Sequence, residues 1–140
     1  IEVINSGVPG DTIAGGLARL NEDVLAYEPE VVLITLGGND LKNRLGEDTA
    51  RVNLVKIITS IHSSGAMVVL GSINIPLYGG GFAEMYESVA RETGALLIPN
   101  ILKGMFGKSH LMSDPIHPNN EGYEIMAGYF FEALSPYLNQ

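Results

Sequence analysis

The chain has 140 residues, 46% of them hydrophobic and 17% charged, with a formal net charge of −8. That composition predicts one compact domain with length enough for a real core, and an acidity spread without like-charge runs disfavours nucleic acid as a partner. The absence of cysteine removes disulfides, thiol catalysis and thiolate metal sites, and no apolar run approaches the ~18 residues of a membrane span.

The chain opens on Ile1-Glu2-Val3-Ile4, without an initiator methionine or a signal-peptide pattern, and reads as a short strand already under way. A glycine-rich turn follows, Ser6-Gly7-Val8-Pro9-Gly10-Asp11, and Thr12 is placed to cap a helix. Ile13, Leu17, Leu20, Val24 and Tyr27 have the spacing of one helix face, and Pro29 stops that helix. The run Val31 to Leu36 predicts a strand buried on both faces, ending in Gly37-Gly38-Asn39-Asp40. Asp48 or Thr49 caps a second helix with Val52, Val55, Ile58 and Ile61 facing inward, and Gly65 is its C′ glycine.

Ala66 to Leu70 is the next buried strand. A loop follows through Gly71, Ser72, Pro76, Leu77 and Tyr78 to three glycines, Gly79 to Gly81. A third helix presents Phe82, Met85, Tyr86 and Val89 on one face and ends at Gly94, and Ala95 to Ile98 forms a fourth strand. From Ile101 to Ser113 the pattern is irregular or weakly helical, and a final helix runs from about Asn120 to Leu134. Strands alternating with helices in this rhythm predict an α/β domain on a parallel sheet. Sites in such sheets form in the loops at the carboxyl ends of strands, and the polar and glycine-rich clusters fall there.

Three of those loops have chemistry to offer. In Met112-Ser113-Asp114-Pro115-Ile116-His117-Pro118-Asn119 an acid and an imidazole lie three residues apart, each before a proline. A residue before proline is pushed out of the α region, so a short rigid loop should carry both. An acid orienting an imidazole is two-thirds of a hydrolase triad; the same residues also describe a plain turn leading into an N-cap at Asn119. Gly10 can offer a backbone N–H at the mouth of a helix, and Asn39 a side-chain amide, as donors to the oxyanion of ester hydrolysis. Alternatively the glycine only permits a tight turn and Asn39-Asp40 only turn or cap the chain. Gly7-x-x-Gly10 lacks both the G-x-G-x-x-G spacing and the lysine of phosphate loops. His62 and His110 have no partner at metal-ligand spacing.

Taken together, Asn5 to Thr12, Gly37 to Asp40 and Asp114 to Asn119 resemble the second, third and fifth blocks of the SGNH, or GDSL, hydrolases. The chain is most similar to the bacterial arylesterase and thioesterase I/lysophospholipase L1 group, and Ile75-Pro76-Leu77-Tyr78-Gly79 resembles that group's segment after the next strand. The resemblance implies a flavodoxin-like three-layer α/β/α domain with a parallel sheet. It also implies His117 as base, Asp114 as its orienting acid, Gly10 and Asn39 as oxyanion donors, no cofactor, and a small ester or lysophospholipid as substrate.

The first block, G-D-S-[LY], which supplies the nucleophilic serine, is absent. Gly10-Asp11-Thr12 belongs to the second block, and neither Ser72 nor Ser113 lies in a nucleophile elbow. In the family that block ends a central first strand, so Ile1 is expected to begin the second strand. The single domain is then N-terminally incomplete, its sheet completed by a missing N-terminal segment or another chain. The rival expectation is a non-catalytic remnant or interaction domain.

Overall fold

The computed structural model describes residues 2–78 and 82–138. Gly79 to Gly81 of the glycine loop, and Ile1, lie outside the described residues. Strands β1 (Val31–Ile34), β2 (Met67–Gly71) and β3 (Leu96–Ile98) form a parallel sheet in the order β1-β2-β3. Val31 pairs with Met67 and Ile34 with Leu70; Val69 pairs with Leu96 and Gly71 with Ile98. The helices are α1 (Ile13–Asp23), α2 (Gly38–Lys42), α3 (Glu47–Ser63), α4 (Ala83–Thr93) and α5 (Asn120–Leu138).

Parallel neighbours need crossover connections, and right-handed crossovers from β1 to β2 and from β2 to β3 put α3 and α4 on one face of the sheet. There α1 packs on α3 and α3 on α4, while α5 packs on β2 and β3. The result is the expected three-layer α/β arrangement. β2 is its centre: Val68, Val69 and Leu70 are fully buried, as is Leu54 on α3 beside Ile58 and Ile61.

Local signals set most helix ends. The Thr12 hydroxyl accepts from Gly15 N–H at 3.1 Å and so caps α1. Gly94 closes α4 at a φ of 79°, where only a residue without Cβ is unstrained. Other expectations are corrected. α1 ends at Asp23 rather than running to Tyr27, and a 3₁₀ turn, Leu25–Tyr27, bends the chain toward β1. α3 begins at Glu47 with Gly46 at the cap position, two residues before the predicted cap at Asp48 and three before that at Thr49. Its buried stripe is Ala50, Leu54, Ile57, Ile58 and Ile61, and Val52 is turned to solvent. That stripe keeps the 3.6-residue period more closely than the predicted one. The short helix α2 carries no apolar periodicity long enough to announce it. α5 continues four residues past Leu134.

The predicted first strand is not formed. Glu2 to Ile4 belong to no sheet, and Val3 is 84% exposed. A strand exists by its ladder of hydrogen bonds, and none reaches these residues from the described ones. β1, expected to be buried on both faces, has a neighbour on one edge only among the described residues, and Leu33 is 47% exposed. The chain is anchored from Ser6 onward: the Ser6 hydroxyl donates to Asp23 C=O at 2.6 Å, and Arg19 Nη1 donates to Ser6 C=O at 2.6 Å.

Two adjacent positions at the end of β2 respond oppositely to the same replacement. A Cβ on Gly71 would lie 2.6 Å from Ile101 Cγ2 and 3.1 Å from Phe130 Cζ. Ser72 is buried with a hydroxyl that has no hydrogen-bond partner among the described residues. Gly71→Ala is therefore expected to destabilise the fold by about 1–3 kcal/mol through overpacking. Ser72→Ala removes an unsatisfied polar group and is expected to be neutral or stabilising by about 1 kcal/mol. Urea denaturation of both variants checks the signs.

Candidate active site

The loop between β3 and α5 is built to hold one imidazole. Met112 and Pro118 form an isolated antiparallel bridge, and Ser113 N–H donates to His117 C=O at 2.8 Å, closing residues 113–117 into a small ring of backbone. Asp114 sits inside that ring. Its Oδ1 accepts from Ile116 N–H and His117 N–H, each at 2.8 Å, and its Oδ2 lies 2.6 Å from His117 Nδ1. The Ile116 N–H first, and the His117 ring second, hold the Asp114 carboxyl below its usual range. An ionised Asp114 requires a proton on Nδ1, and in the neutral imidazole Nε2 is then the open acceptor. Both side chains remain solvent-accessible. Asn119 then starts α5, its Oδ1 accepting from Gly122 N–H at 3.1 Å while its Nδ2 donates to His110 C=O at 2.7 Å.

Asn39 lies on α2, directly after β1. Its Nδ2 donates to Asp11 C=O at 2.9 Å, which uses one amide hydrogen and leaves the second without a partner among the described residues. The next residue, Asp40, is 3% exposed, and its Oδ2 accepts from Ile13 N–H, the first amide of α1, at 3.0 Å. Below this junction Gly37 has a φ of 118°, and a Cβ there would fall 2.0 Å from Tyr86 Oη. Tyr86 donates that hydroxyl to Leu36 C=O at 2.6 Å. Burial, reinforced by the negative charge of Asp40, pushes its phenol well above its usual range.

Gly10 is the third residue of a turn, Val8-Pro9-Gly10-Asp11, closed by Asp11 N–H donating to Val8 C=O at 3.2 Å. Proline second and glycine third at a φ of 80° make this a type II turn. In such a turn the third residue's N–H points outward, and Gly10 N–H has no partner among the described residues. Asp11 is locked beneath it: Oδ1 accepts from Thr12 N–H at 2.9 Å and Oδ2 from Arg19 Nε at 2.7 Å. Asp11 and the exposed Asp23 together raise the Arg19 pKa, with the Asp11 hydrogen bond the larger cause.

Asp11, Asn39 and His117 line one cleft of about 220 Å³ at the carboxyl ends of the strands. Asp114 stands behind His117 rather than on the cleft wall, and Gly10 adjoins the cleft through Asp11. Ile73, Ile75, Ile101, Leu102 and Met126 supply an apolar wall. No described serine lines the cleft; its hydroxyls are those of Thr35 and Tyr123. Asp40, Arg19 and Tyr86, which hold this arrangement, are not predictable as supports from the sequence. Their partners lie 27, 8 and 50 residues away, and no spacing rule reaches that far.

Residues 1–125 match the model of the GDSL-like Lipase/Acylhydrolase family. The chain is 33% identical over 144 aligned positions to an arylesterase of Vibrio mimicus, covering 99% of this chain and 72% of that protein. It is 35% identical over 122 positions to esterase TesA of Pseudomonas aeruginosa, covering 83% of this chain but 61% of that protein. The crystal structure of TesA superposes with a TM-score of 0.90 at 32% identity, over 96% of this chain and 78% of that one. The psychrotrophic esterase EstA from Pseudoalteromonas superposes with a TM-score of 0.86 at 29% identity, over 98% and 78%. A match that runs from the first residue into α5, on a fold that superposes almost throughout on esterases, makes this chain a member of the GDSL-like lipase/acylhydrolase family.

Proposed function

We propose that the protein is a serine ester hydrolase of the SGNH type, acting on short acyl, aryl or thio esters or on lysophospholipids. The observation that carries this reading is the common cleft of Asn39 and His117, beside an apolar wall and with Asp114 holding Nδ1 of the imidazole. Membership of the family and similarity to arylesterase and esterase TesA support it. In the mechanism, His117 Nε2 takes the proton of a serine hydroxyl as its oxygen attacks the ester carbonyl. The negative charge on the carbonyl oxygen is met by the unused Asn39 amide hydrogen and by Gly10 N–H. His117 gives its proton to the leaving group, water attacks the acyl enzyme by the same path, and the acid is released.

The serine comes from outside these 140 residues, on a strand that pairs with the open edge of β1. Three facts support this part of the proposal. No described serine lines the cleft, β1 has one neighbour among the described strands, and the related proteins are longer than this chain.

Two predictions follow from the division of labour. The 140-residue chain by itself is expected to hydrolyse p-nitrophenyl acetate no faster than a heat-denatured control and to resist a fluorophosphonate probe. Rapid labelling would expose a nucleophile within the chain, and Thr35, a hydroxyl on the cleft wall, is the first to replace; Ser72 is too buried to react.

In a protein that carries the serine strand, His117→Ala is expected to remove most of kcat. Asn39→Ala is expected to lower kcat by roughly 10²–10³ with a smaller change in KM, because its donor matters most once the oxygen is charged. Asp114→Ala is expected to be milder than His117→Ala, since the acid orients and does not transfer the proton. The comparison that decides is with Asn43→Ala, on an exposed amide just past α2. Equal losses at Asn39 and Asn43 would remove Asn39 from the oxyanion site.

A further inference from the structure

Among the described residues, the cleft carries one charge that no partner balances. Of its lining residues, Asp11 is bound by Arg19 at 2.7 Å, and the His117 ring is held by Asp114. Lys42 lines the same cleft, and its side chain has neither an ion pair nor a hydrogen bond among the described residues. It stands three residues after Asn39 on α2, a spacing that puts two side chains on one face of a helix. Its flexible four-carbon stem gives the ammonium group reach around that position.

The surroundings sharpen the point. A protein with a net charge of −8 repels anions at long range, so attraction of an anion into this cleft needs a local cation. The rest of the lining is polar but uncharged near Asn39 and apolar along Ile73, Ile75, Ile101 and Met126. The cleft thus offers one wall to a hydrocarbon chain and one cation to a headgroup. Cleft walls of this kind match an amphiphile with an anionic end.

Resting on the reading of this cleft as the ester site, we infer that Lys42 is a specificity-determining residue that holds an anionic group of the substrate, a phosphate or a carboxylate. The preferred esters therefore carry a negative charge on one side of the scissile bond and an apolar chain on the other. Lys42 takes no part in proton transfer, and neutral esters remain able to enter the cleft.

Binding by the 140-residue chain tests this without any need for turnover. Octyl phosphate, octanoate and octyl glucoside are titrated in turn while the side-chain resonances of Asn39 and His117 are followed by NMR. At least one of the two anions is expected to bind about fivefold more tightly than the glucoside, the scale of an exposed charge pair, and the preference is expected to shrink in high salt. Which anion gains tells phosphate from carboxylate. Lys42→Gln is expected to abolish the preference and Lys42→Glu to reverse it, while Lys56→Gln, on the exposed side of α3, leaves it intact.

Equal affinities for all three ligands in the unaltered chain, or a preference that survives Lys42→Gln, would overturn the inference about Lys42 while leaving the cleft as the ester site. Ligands that leave Asn39 and His117 unperturbed would overturn the cleft reading itself, and Lys42 with it.

Discussion

Two neighbouring side chains reach from α2 to the same short segment in opposite chemical senses. Asn39 donates to Asp11 C=O at 2.9 Å, and Asp40 accepts from Ile13 N–H at 3.0 Å. A donor and an acceptor on consecutive residues, matched to an acceptor and a donor two residues apart, fix both the distance and the rotation between the loop after β1 and the start of α1. Asp40 is buried and ionisable, so leaving it without a partner would carry the large desolvation penalty of an unpaired buried group. The first amide of α1 answers that need, and the positive end of the helix dipole favours the same charge.

The supports beneath this junction follow from it. Gly37 must turn the chain sharply at a φ of 118° for Asn39 and Asp40 to face α1, and the missing Cβ leaves room for the Tyr86 hydroxyl. Tyr86 caps the Leu36 carbonyl, so the end of β1 is satisfied by α4 rather than by water. On the other side, Arg19 holds Asp11 and Ser6 together, which keeps the Gly10 turn in place although that turn is solvent-exposed. These contacts link α1, α2 and α4 to one corner of the cleft. The imidazole loop is independent of them. It is closed on itself by the Asp114 bonds and the 112–118 bridge, and it meets the other loops because β3 delivers it to the same end of the sheet.

Asn39 and His117, the proposed oxyanion donor and the proposed base, thus reach the cleft by different physical routes. Asn39 depends on a long-range polar contact that assembles only when helices pack. His117 depends on a local ring that two prolines pre-shape. A protein with this division can keep the Asp114–His117 geometry stable in a loop whose side chains stay in water, while Asn39 is held by the core.

Much of this was written in the sequence, and for local reasons. The alternation of apolar strands and periodic helices, the proline-bounded Asp114–His117 pair, the Pro9-Gly10 turn and the glycine at the end of α4 each depend on residues within one turn of one another. The order of the blocks was therefore readable as a family resemblance. Tertiary structure decided what depends on partners. Val31 to Leu36 has the composition of a strand buried on both faces, yet β1 ends at Ile34 and exposes Leu33, because burial is set by neighbours and not by the strand itself. Ile1 to Ile4 has the residues of a strand, but Glu2 to Ile4 have no ladder to join. Asp40 read locally as a residue that turns or caps its own stretch of chain, yet its carboxylate accepts from the first amide of α1, 27 positions away, since only packing brings α1 and α2 within hydrogen-bond reach.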